Sequence, residues 1–78
     1  MSKSKKSLIE CAEVAGQIVY EYKNWGSEHI SDMYATYEAE GRKPPFTIDQ
    51  LEEYAEKMQS LKDQGKSFGE AVELAVKS

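Results

Sequence analysis

The chain has one cysteine, one histidine, one tryptophan and two prolines among its 78 residues, and each scarcity excludes a class of protein. One cysteine forms no intramolecular disulfide, and a metal site would need that thiol, the single His29 and carboxylates. No metal or cofactor is expected. The lysines at positions 3, 5 and 6 are not followed by an apolar signal-type stretch, and no run approaches the roughly 18 apolar residues of a membrane span. The expectation is a cytoplasmic chain without a membrane partner. Also missing are a glycine-rich phosphate loop, Cys-x-x-Cys, His-Glu-x-x-His and calcium-loop spacing. No nucleophile stands within readable reach of a base and an orienting group, so no catalytic residue is assigned and the chain does not read as an enzyme.

Strand-like alternation is absent too, and what remains is helical. In the first long stretch Leu8, Cys11, Ala15, Ile18, Tyr22 and Trp25 recur at spacings of three and four, the seam of an amphipathic helix. Ile9, Ala12, Val14, Val19 and Tyr20 widen the apolar arc beyond what a surface helix needs. Three starts follow from capping chemistry, Ser7 with Glu10, Thr47 with Gln50 and Ser67 with Glu70, and Phe46 and Leu51 add a hydrophobic staple to the second. Gly26, Gly41 and Gly65 punctuate the ends. Both prolines fall in one linker, Gly41-Arg42-Lys43-Pro44-Pro45. The reading is all-α: a basic tail over 1–7, then one domain over 8–78 with helices at about 8–25, 28–40, 48–64 and 68–77.

Core stripes follow at helical spacing: Ile30, Met33, Tyr34 and Tyr37; Leu51, Tyr54, Ala55, Met58 and Leu61; Phe68, Ala71, Val72 and Ala75. In helix 1 the small residues Ala12, Ala15 and Gly16 let another backbone come close. Domains of this size bury only roughly 60% of the surface their unfolded chain exposes, and oligomerisation is the usual supplement when disulfides and metals are missing. The expectation is a bundle of three to four helices, dimeric through helix 1 with Ile9, Val14, Ile18, Val19 and Trp25 at the interface.

The net charge of −4 is unevenly spread, because residues 7–41 carry seven acids against Lys23 alone. Acids in a first helical turn suit the backbone dipole, whereas Glu21, Glu38 and Glu40 lie near helix C-termini and oppose it. Tyr20 falls on the outer side of helix 1 with Glu13 and Gln17. Tyr20, Glu21, Glu38 and Glu40 are therefore the candidate partner-binding residues. His29 is placed to pair with Asp32 or to act as a pH-sensitive surface group.

An acidic helical surface selects basic partners and repels nucleic acid. The leading reading is a non-enzymatic protein–protein interaction module that docks on a basic protein, such as a DNA-binding one. In composition it resembles the host-directed inhibitors that bacteriophages encode. Tyr37-Glu38-Ala39-Glu40-Gly41, then Pro44-Pro45-Phe46-Thr47, then the stretch from Leu61 to Ala71 with Gly65-Lys66-Ser67 is similar to the latter part of a MerR-type regulator domain. That resemblance covers under half of the chain and lacks the winged β-hairpin and a basic recognition face. It implies a nucleic-acid-binding alternative, with phosphate contacts falling to Lys3, Lys5, Lys6, Arg42 and Lys43. A third alternative is a structural subunit of a larger assembly.

Overall fold

A computed structural model describes residues 5–77. They form four α-helices and, among the described residues, no strand: α1 (Lys5–Glu21), α2 (Ser27–Ala39), α3 (Ile48–Asp63) and α4 (Phe68–Lys77). The longest has 17 residues, and no helix is long and apolar enough to cross a membrane.

Local chemistry sets most of the boundaries. Thr47 accepts from the Gln50 N–H at 3.1 Å while the Gln50 carbonyl accepts from the Thr47 N–H at 2.9 Å, so α3 opens on a closed capping box. Ser67 and Glu70 open α4 in the same way. Gly41 and Gly65 adopt φ of 74° and 86°. Each is followed by a residue whose N–H returns to the helix, Arg42 to the Tyr37 carbonyl and Lys66 to the Leu61 carbonyl. These are paired Schellman ends, which need the left-handed geometry that glycine adopts at least cost.

Helix 1 differs from expectation at both ends. Lys5 to Ser7 are already helical, so Ser7 lies inside the helix and does not open it; residues 1–4, including Lys3, lie outside the described residues. It stops at Glu21, well short of Trp25. Tyr22 and Trp25 continue the seam in register, but the connector uses them: Tyr22 is 45% exposed, and the Trp25 indole donates to Gln59 of α3 at 2.8 Å. Gly26 does not close α1; it is extended and forms the N-cap of α2.

The core sits around α1, which packs chiefly against α3 and next against α4, while α2 touches α1 and α3 more sparingly. Ala12, Ala15 and Gly16 are the close-approach positions, all buried. A Cβ on Gly16 would stand 2.7 Å from both the Met58 methyl and the Phe68 ring, so the space a side chain would occupy is filled by α3 and the start of α4. The wide apolar arc is thereby covered within one chain. Val14, Ile18 and Val19 are 7%, 1% and 0% exposed and belong to the core of the single chain. The accessible surface of 5084 Å² is close to the roughly 4,800 Å² of a folded monomer of this mass. The α2–α3 linker also adds to the core, since Pro44 and Phe46 are buried and the Phe46 ring meets Tyr37 edge-on at 5.6 Å.

Candidate functional site

The four residues read as a partner-binding surface do not converge. Tyr20 is half-buried at the C-terminal end of α1. Its hydroxyl donates to the Lys66 carbonyl at 2.8 Å, its ring meets Phe68 edge-on at 5.6 Å, and the Lys62 ammonium lies 5.6 Å from its centroid. Burial first, and the Glu70 charge second, push its phenol above the ordinary value. Tyr20 thus ties α1 to the α3–α4 turn rather than standing outside. Glu21 is exposed beside it. Glu38 and Glu40, also exposed, lie at the other end of the molecule, where Arg42 bridges Glu40 at 3.8 Å and Glu10 at 3.7 Å. Glu10 and Glu21 are separated by about 16 Å along the helix axis.

Of the residues read as a dimer interface, Val14, Ile18 and Val19 are internal, Trp25 is half-buried in the α1–α2 connector, and Ile9 keeps a half-exposed face. Ile9 borders two shallow grooves. One, of about 410 Å³, runs between α1 and α4 over Gly69, Val72 and Val76. The other, of about 530 Å³, runs toward α2 over Glu10, Val14, Tyr37 and Arg42.

Residues missed at the sequence level organise that second groove. The Tyr37 hydroxyl donates to the Glu10 carboxylate at 2.9 Å, and the Arg42 guanidinium lies 4.8 Å from the Tyr37 ring centroid. Burial, then the hydrogen bond to Glu10, push the Tyr37 phenol up to about 12. Glu10 is therefore not a first-turn acid serving the helix dipole; α1 carries no acid in its first turn. The only legible hint was the helical spacing that put Tyr37 inward.

The remaining charges divide sharply. Lys62 donates to the Val19 carbonyl at 3.1 Å, supplying from α3 the cation that the C-terminus of α1 lacks. Lys57 lies 5.0 Å over the Tyr54 ring. Tyr54 is held above the ordinary phenol value by burial and by the neighbouring Cys11 and Glu53. Lys77 pairs with Glu73 at 3.1 Å. By contrast Glu13, Glu21, Asp32, Glu38, Asp49, Glu52, Glu53 and Glu56 are all exposed, and none joins the ion pairs among the described residues. Among the basic residues whose side chains are described, Lys6, Lys23 and Lys43 are comparably exposed and unengaged.

His29 does not pair with Asp32. Its Nδ1 accepts from the Gly26 N–H at 2.9 Å, its ring lies against Tyr22 with centroids 4.6 Å apart, and Glu28 rather than Asp32 is the nearby carboxylate at 3.7 Å. Among the described residues no three His, Cys, Asp or Glu side chains gather where they could hold a metal ion.

Compared with known protein families, curated proteins and solved structures, the chain matches none. The residues similar to a MerR-type domain are, in this fold, the two Schellman glycines Gly41 and Gly65, the Thr47 and Ser67 caps and the buried Tyr37 and Phe46. Their spacing is accounted for by turn chemistry and packing.

Proposed function

We propose that the chain is a non-enzymatic interaction module that docks on a basic protein through its acidic outer surface. The observation that supports this is the unequal use of charge. Lys57, Lys62, Arg42 and Lys77 are held by rings, carbonyls and carboxylates of the chain itself, while eight acids face outward without an ion pair. The chain as a whole carries a net charge of −4, which favours basic partners and disfavours nucleic acid. With Arg42 committed to Glu10 and Glu40, the cationic surface that a phosphate backbone would need is further reduced.

The homodimer expectation rested on surplus apolar surface along helix 1. With Val14, Ile18 and Val19 inside the fold, the module acts as a monomer in this reading. The alternative of a subunit in a larger assembly is favoured by one observation, the apolar groove of Ile9, Val72 and Val76.

Capture from a cell lysate on the immobilised full chain tests the proposal, run with two folded variants alongside. One is Glu52→Gln/Glu53→Gln/Glu56→Gln on α3 and the other Glu21→Gln/Glu38→Gln/Glu40→Gln. The expected result is capture of basic proteins that salt releases, lost in at least one variant. Capture that is indifferent to salt and to both variants overturns the acidic-docking reading. If substitution at Val72 and Val76 abolishes it instead, the assembly reading stands.

A further inference from the structure

Three helices of this chain begin with an N-cap amide that donates to the side chain three residues on, and in one of them that side chain is an imidazole. At the start of α3 the N-cap amide of Thr47 donates to the side chain of Gln50 at 2.9 Å. At the start of α4 the Ser67 amide donates to Glu70 at 3.3 Å. At the start of α2 the Gly26 amide donates to Nδ1 of His29 at 2.9 Å. The closing group occupies the third helical position each time.

The three differ in what a proton does to them. The Gln50 amide oxygen accepts at any pH, and a carboxyl group keeps an acceptor oxygen whether or not it is ionised. An imidazole nitrogen does not. An amide N–H only donates, so Nδ1 of His29 carries a lone pair here and the ring proton resides on Nε2. The α2 cap also has no second half, because Gly26 offers no side chain to the helix, whereas Thr47 and Ser67 each accept a helical N–H.

The charged and titratable groups facing the ring reinforce the choice. From α2 come Glu28, with Oε1 3.7 Å from the same Nδ1 and its side chain 76% exposed, and Asp32, which borders the same crevice. The connector contributes the Tyr22 ring and α1 contributes apolar Ile18. A proton on Nδ1 sets N–H against the Gly26 N–H and places positive charge at the positive end of the helix dipole. It also gives the ring a better partner in Glu28. Both effects draw the ring away from Gly26.

We infer that His29 is a pH-sensitive latch on α2. The neutral ring holds Gly26 and closes the connector over a crevice of about 180 Å³ between α1 and α2. The protonated ring releases Gly26 and turns toward Glu28, freeing the Tyr22–Gly26 connector at its α2 end.

Proton–nitrogen NMR of the full chain, titrated through the His29 transition, tests this by reading the ring nitrogens and the Gly26 amide in one sample. The expected result is an Nδ1 resonance of unprotonated type above the transition. As the ring gains its proton, the Gly26 amide-exchange protection factor falls roughly fivefold, while the Gly41 and Gly65 amides hold. His29→Gln, which copies the α3 cap, is expected to keep Gly26 protected across the same range. An unchanged Gly26 protection factor through the wild-type titration overturns the latch. So does the same loss in a folded His29→Gln variant, and the wild-type titration decides alone if that variant does not fold.

Discussion

Replacing Tyr37 with phenylalanine removes one oxygen from a site where burial, a hydrogen bond and a cation meet. The hydroxyl donates to Glu10, which is also held by Arg42. Losing a bond to a charged acceptor costs about 1.5–3 kcal/mol, so chemical denaturation of Tyr37→Phe at pH 7 is expected to show that loss. The pH dependence carries a sign. The phenol is raised from the ordinary 10 to about 12 in the folded chain, so the fold binds this proton more tightly than the unfolded chain does. Its contribution is complete below about pH 10 and is lost as pH rises toward 12. Stability of the wild type should fall across that window, and that of Tyr37→Phe should fall less. Gly16 gives a prediction of the opposite kind, in which atoms are added. Valine there meets the Met58 methyl and the Phe68 ring, and overpacking of this kind costs roughly 1–3 kcal/mol. A Gly16→Val variant as stable as wild type would show that the contact relaxes without cost.

Among the elements, α1 is the spine and α2 the attachment. Because α2 packs more sparingly than the others and begins on a cap with no side-chain half, its amides are expected to exchange before those of α1 and α3. Uniform protection across all four helices would contradict this. The C-terminus of α1 depends on another element, since Lys62 reaches from α3 to the Val19 carbonyl. Lys62→Gln should destabilise the chain by about 0.5–1 kcal/mol, read as a lowered denaturation midpoint. Much at this scale was legible in the sequence: Thr47 with Gln50 and Ser67 with Glu70 mark helix starts, and Gly41 and Gly65 mark helix ends, because caps are local chemistry. The end of α1 was not legible. Tyr22 and Trp25 continue the apolar period, and the indole bond to Gln59 that takes Trp25 out of the helix joins residues 34 positions apart. Tyr20 and Glu10 were misread for the same reason, since each has its partners on other elements.

For the whole molecule, the question raised by so wide an apolar arc on α1 is what covers it. The sequence shows the width of the arc but not the covering surface, and a second copy would have served as well as α3 and α4. The fold supplies the cover internally: small residues at Ala12, Ala15 and Gly16 bring Met58 and Phe68 onto α1, and Ile18 and Val19 are sealed. Within α1 the arc leaves only Leu8, Ile9 and Tyr20 half-exposed. Sedimentation equilibrium of the full chain over micromolar concentrations tests this most directly. The account predicts a single species of 8.8 kDa whose mass does not rise with concentration and whose thermal midpoint is concentration-independent. A dimer whose dissociation accompanies unfolding would contradict it, because α1 would then need a second chain to be covered.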